Sequence, residues 1–160
     1  MFYQGLGLAA LILGADQATK WIAYQAYLEE PRTIAITGFF NIVLLVWNRG
    51  VSFGLFSDGS PVTKYILIVL ALAISAVLVI WLRRNDRRLT AAAIGLVLGG
   101  ALSNVSDRLV HGAVVDFLDF HVAGYHWPAF NVADSAISIG VIALIFFIIL
   151  GFKKENAGSA

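Results

Sequence analysis

Four apolar runs, each about as long as a bilayer is thick, leave this chain few ways to fold. They cover residues 3–27, 62–82, 89–110 and 131–152. No water reaches a hydrocarbon core to satisfy a bare backbone, so runs of this length are read as helices that cross it. Hydrophobic residues make up 59% of the chain and charged ones 13%, where soluble domains carry about 25% charged. The expectation is an all-α membrane protein. It has four transmembrane helices in one domain of residues 1–160, with a small extracytoplasmic β-sheet and a short extracytoplasmic loop or helix.

Charge placement orients the spans. Arg83, Arg84, Arg87 and Arg88 crowd the turn between the second and third runs, and Lys153 and Lys154 follow the fourth. Basic clusters of this kind stay on the cytoplasmic side. Both termini are therefore expected inside, and the loops 28–61 and 111–130 outside. Residues 1–13 look like a signal peptide but have no basic start and lead into Asp16 and Lys20, so they are read as part of a retained first span. The first loop reads as short strands at 33–36 and 40–47, broken by Thr37-Gly38 and by Asn48-Arg49-Gly50. The stretch 42–46 is apolar throughout, which suits a sheet lying on the membrane or a plain amphipathic loop. Phe39, Phe40, Trp47, Phe53 and Phe56 fit an interfacial aromatic belt. The tail 155–160 is expected to be disordered.

Several charges sit where lipid makes them costly. Asp16 and Lys20, at i and i+4, share a helix face, either as a self-contained ion pair or as a brace for a polar site. Gly100, Ser103, Asn104 and Asp107 form a stripe on the third run, with Arg108 beside it. Small residues there allow close helix packing, and the polar ones need partners across the interface. Asp116 lies in Val114-Val115-Asp116-Phe117, and Asp134 in Phe130-Asn131-Val132-Ala133-Asp134-Ser135. On a four-span frame, Asp107, Arg108, Asp116 and Asp134 fall at similar depth near the outer surface. Two carboxylates brought together share a proton and can activate water.

These polar residues come in an order that resembles lipoprotein signal peptidase, also called signal peptidase II, a bacterial membrane aspartic peptidase. Asp16-Gln17-Ala18-Thr19-Lys20 is similar to the family's D-x-x-x-K, and Asn48-Arg49-Gly50-Val51-Ser52-Phe53 to its N-x-G-x-[AS]-F. The segment from Gly100 through Asn104 and Asp107 to Arg108 resembles G-x-x-x-N-x-x-D-R, and the two aspartate stretches complete the set. Ser103 departs from a glycine common in the family, and Arg49-Gly50-Val51 from a common Thr-Gly-Ala. The resemblance implies that Asp116 and Asp134 are the catalytic dyad. It makes Asn48, Gly50, Asn104, Arg108 and Asn131 substrate-binding or supporting groups, and Asp16, Lys20 and Asp107 structural support. It implies no cofactor and no metal. It implies diacylglyceryl prolipoprotein substrates cut before the lipidated cysteine, contact with membrane lipids, sensitivity to globomycin-type inhibitors, and a place in the bacterial cytoplasmic (inner) membrane with the site at the outer face. Oligomeric state stays open, a monomer included.

The residues allow that chemistry. One aspartate, ionised, takes a proton from water, while the other, protonated, serves the scissile carbonyl. The substrate's acyl chains can lie beside strand 42–46, and residues 123–128 can act as a lid. The net charge of +1 gives no reason to expect nucleic acid, and the absence of cysteine removes disulfides, thiol catalysis and thiolate metal sites. A zinc site at His121 and His126 with Asp116 and Asp119 is a rival, but its spacing is not that of a helical ligand pair. A small transporter or channel with Asp16, Lys20 and Asp107 as its polar path is another. The chain shows neither an internal repeat nor paired broken spans to favour it.

Overall fold

The structure, a computed structural model, describes residues 1–30, 32–50 and 61–157. Along the chain come α1 (Phe2–Glu29), β1 (Thr33–Thr37), β2 (Phe40–Asn48), α2 (Pro61–Arg84), α3 (Arg88–His111), β3 (Val114–Val122), β4 (Tyr125–His126) and α4 (Val132–Ala157). The fold is mostly helical with one small antiparallel sheet. Among the described residues α2, α3 and the Val132–Ile149 part of α4 are long and apolar enough to cross a membrane. The large hydrophobics on α2 and α4, Val69, Val77, Ile142, Ile145 and Ile149 among them, are exposed on the bundle's outside. Outward-facing apolar residues of this density suit lipid rather than water. This is a multi-pass membrane protein.

Helix α3 is the central element. Of its apolar window 67% is buried, against 22% for those of α2 and α4. Its sequence explains the position, because glycines let two neighbours, α1 and α4, come close. A Cβ at Gly95 or Gly99 would collide with the α1 backbone at Gly5 or Ala9, and one at Gly100 with the Ala133 carbonyl of α4. Close backbone approach of this kind is how small residues serve helices in lipid. Leu82, Ile94 and Leu98, fully buried, fill the space between α2 and α3 with Ala9, Val97 and Leu144 around them.

The sheet has the order β1-β2-β3-β4. Strand β2 runs antiparallel to β3 in a register that sets Asn48 opposite Val114, Val46 opposite Asp116 and Asn41 opposite Asp119. An irregularity between Ile42 and Val46 interrupts that ladder. The expected strands of the first loop are present. The second loop, expected as a loop or short helix, is instead β3 and β4 (Val114–Val122 and Tyr125–His126). Aspartate is depleted in strands, and β3 buries Asp116 and Asp119 along with its apolar residues, so no alternation marked it. The proposed lid, 123–128, is the turn and return strand of this hairpin, with Ala123 at φ 50° and Gly124 at φ 83°. Helix α4 continues to Ala157, past the expected end at 152 and into the expected disordered tail. Val51, Ser52, Phe53 and Phe56 lie outside the described residues.

Candidate active site

Two helix ends and one strand deliver the acidic groups. Helix α3 stops at Gly112, whose left-handed backbone (φ 77°) turns the chain while its N–H bonds the Arg108 carbonyl at 3.1 Å. Glycine carries this conformation at no steric cost. Two residues later β3 begins, and the Val115 N–H reaches back to Asp107 Oδ2 at 3.4 Å. Asp116 is thereby folded back over the end of α3, and it is 1% exposed.

Asp134 is fixed by a reciprocal cap. The Asp134 N–H donates to Asn131 Oδ1 at 2.8 Å, and the Asn131 N–H donates to Asp134 Oδ2 at 3.3 Å. This is a capping box built from Asn and Asp, three residues apart, at the start of α4. The Ala133 N–H, another orphan donor of that first turn, bonds Asp16 Oδ1 of α1 at 2.7 Å. One helix thus caps another, which satisfies a buried backbone group that water cannot reach.

Asn131 joins the two acids. Its Nδ2 donates to Asp116 Oδ1 at 2.7 Å while its own backbone holds Asp134. Asn48, from the end of β2, donates to Asp116 Oδ2 at 3.0 Å, and Asn104, from α3, donates to Asp134 Oδ1 at 2.8 Å. Burial pushes the Asp116 carboxyl up to about 7, and the charge of Asp134 adds to that rise against the bonds from Asn48 and Asn131. Arg108 donates to the Gly50 carbonyl at 2.9 Å and to the Asn104 carbonyl at 3.3 Å, close enough to both acids to interact by charge. Its Nε has no hydrogen-bond partner among the described residues.

Behind Asp134 lies a second polar layer. Lys20 Nζ sits 2.6 Å from Asp16 Oδ2, 2.6 Å from Asp107 Oδ2 and 3.1 Å from Asn104 Oδ1. All four groups are buried. Gln17 donates to Asp107 Oδ1 at 2.7 Å and to Ser103 Oγ at 2.9 Å, and Ser103 in turn donates to Asp16 Oδ2 at 2.7 Å. The serine that departs from the common glycine is therefore a member of this network, not a packing residue alone. Every sequence-derived site residue falls within these two layers. Gln17 was missed. Its signal was available, one position after Asp16 on the same helix. The sheet holds a further unforeseen pair, Asp119 with His126 Nδ1 at 2.9 Å and with Asn41 Nδ2 at 3.0 Å. Burial raises Asp119, but the bonds from His126 and Asn41 outweigh it and hold the carboxyl below its ordinary value. His126 is spent on Asp119 and stacks on His121, and no group of three metal-ligating side chains gathers among the described residues.

Two carboxyl groups bridged by one asparagine, at the sheet end of a helical membrane bundle, define a class of site. The family described as signal peptidase (SPase) II matches residues 8–150. A lipoprotein signal peptidase of Rhodopseudomonas palustris (strain TIE-1) is 40% identical over 96% of this chain and 96% of its own. That of Azoarcus sp. (strain BH72) is 46% identical over 96% of this chain and 87% of its own. A solved structure described as a bacterial membrane enzyme superposes with a TM-score of 0.79 at 29% identity, covering 98% of this chain and 91% of the other. The chain belongs to the signal peptidase II family, and it is a peptidase.

Proposed function

We propose that this protein is an aspartic endopeptidase that removes the signal peptide from diacylglyceryl-modified prolipoproteins, cutting before the lipidated cysteine. The relatives' shared name supports the substrate class. The observation that carries the mechanism is Asn131, which holds Asp116 with its side chain and Asp134 with its backbone. On this reading α1 is the fourth span, its Asp16 and Lys20 neutralised by each other and by Asp107. The basic residues at 83–88 and 153–154 support cytoplasmic termini and a site at the outer face of a bacterial inner membrane.

Asp116, buried and raised, holds the shared proton, and Asp134, lining two cavities, takes one from water. The hydroxide so formed attacks the scissile carbonyl carbon while Asp116 protonates the carbonyl oxygen. Collapse of the resulting diol passes a proton to the leaving nitrogen, which departs as the free amine of the lipidated cysteine. Asn48 and Asn104 fix the two carboxylates, and Arg108, lining the interhelical cavity beside Asp134, brings positive charge to the substrate's path. Nothing covalent forms between enzyme and substrate, so no nucleophilic side chain is needed.

Two outcomes follow. Purified protein in lipid should cut a diacylglyceryl prolipoprotein and leave the unmodified precursor intact. Equal cutting of both would remove the lipid from the reading, and solute flux without cleavage would favour a transporter. Second, kcat should fall as pH rises through about 7, because the proton held by Asp116 is lost there. A rate that keeps climbing from pH 6 to pH 9 would contradict this assignment of the acid.

A further inference from the structure

Asp134 stands on the wall of two separate cavities, a feature that signal-peptide removal alone does not require. One, of about 410 Å³, lies between helices and is lined by Leu67, Leu70 and Ile74 of α2, Val97 and Ala101 of α3, and Val141 of α4, with Asn104 and Arg108 at its polar end. The other, of about 860 Å³, lies under the β3–β4 hairpin against α4. Phe39, Phe120 and Phe130 form its aromatic floor, with ring centroids 6.5 Å apart for Phe39–Phe120 and 5.7 Å for Phe120–Phe130. Val122, Trp127 and Ile139 make its exposed rim. Ser138, like Asp134, faces both cavities.

On the proposed function, with which this inference stands, the substrate also has two apolar arms that diverge at the scissile bond. The signal helix lies on the amino side, and the diacylglyceryl thioether lies on the carboxyl side. With the scissile carbonyl at Asp134, the arms leave in different directions and need different surfaces.

Shape decides which goes where. The interhelical trough follows α3 from Val97 to Arg108, about 16 Å at the rise of an α-helix, and α4 from Asp134 to Val141, about 10 Å. It is long, runs along the bundle and is lined by aliphatic residues, as a helix lying among helices requires. The hairpin cavity meets α4 only from Asp134 to Ile139, about 7 Å, yet has twice the volume. It is too short along the bundle for a helix and wide enough for branched chains. Its few polar groups, serine hydroxyls and histidines, suit ester carbonyls at the glyceryl end. We infer that the cavity beneath the β3–β4 hairpin is the diacylglyceryl subsite, placed opposite the signal-helix trough with Asp134 between them. This moves the acyl chains away from strand 42–46, where Val46 lines neither cavity.

The Asp119–His126 pair gives the subsite a rigid roof. It ties β4 to β3, and Asn41 ties β3 to β2, so the hairpin over the cavity is held by side chains as well as by its short ladder.

The test uses the full-length protein in lipid and substrates that differ only in acyl length, one long and one short. Ile139→Trp fills the hairpin cavity from an exposed position, and Leu70→Trp fills the trough from another. Ile139→Trp should lower the long-to-short ratio of kcat/KM by about tenfold, the scale on which apolar pockets sort chain lengths. Leu70→Trp should lower both rates together and leave the ratio unchanged. A photoreactive group at the acyl terminus should label residues of 120–139. A ratio unchanged in Ile139→Trp, a ratio shifted by Leu70→Trp, or label on strand 42–46 would overturn the subsite. Failure of the parent protein to cut any lipidated substrate would overturn the peptidase reading itself, a separate result.

Discussion

Asp116→Asn and Asp134→Asn should each lower kcat by about a thousandfold or more, at the upper end of what one acid–base group supplies. Each change keeps the side chain's shape and removes its proton chemistry. The two losses should not add in the double variant, because the proposed mechanism uses the acids as one unit. Stability separates this from simple damage. The folded-state value of Asp116 is raised to about 7 from 3.8, so the folded state holds its proton more tightly than the unfolded chain. Its stabilising contribution is whole below about pH 4 and is lost as pH rises through about 7. Asp116→Asn has no such loss, so its Tm relative to the parent should rise between pH 4 and 7 and then level off. An inactive variant that gains relative stability toward neutral pH has lost its chemistry and not its fold. Near-parental turnover in either single variant would reject the dyad.

Lys20→Met should be the costliest change away from the dyad. Removing one partner of a buried ion pair costs about 3–5 kcal/mol, because the remaining charge has nowhere to go. Here two carboxylates, Asp16 and Asp107, lose the same cation. Asp16→Ala does not strand Lys20, since Asp107 stays 2.6 Å from the ammonium. Its cost lies instead in the Ala133 N–H and the Ser103 O–H, both of which lose their acceptor. Lys20→Met should therefore lower Tm more than Asp16→Ala, and adding Asp107→Asn to Lys20→Met should recover part of the loss. The reverse order of Tm values would mean that the cap on α4 outweighs the charge balance.

The helices were legible because lipid imposes a length and an apolar face, which local sequence reports directly. Strands β1 and β2 were legible from Thr37-Gly38 and Asn48-Arg49-Gly50. Strand β3 was not, since its two buried acids mask it, and their partners Asn41, Asn48 and Asn131 lie far off in sequence. The acids themselves stood out as charges in apolar surroundings. Their joint clamping by Asn131 was readable in part, because Asn and Asp three apart before an apolar run form a helix cap. The bond from Asp16 to the Ala133 N–H, across 117 positions, was beyond any local pattern.

The box that starts α4 makes one carboxylate both a helix cap and the proposed partner of Asp116. Asp134 is held by Asn131 in the first turn of its own helix and by Asn104 of α3, and the same turn docks on α1 where the Ala133 N–H meets Asp16. A chain in which α4 has not yet packed against α1 and α3 therefore holds Asp116 without a placed companion.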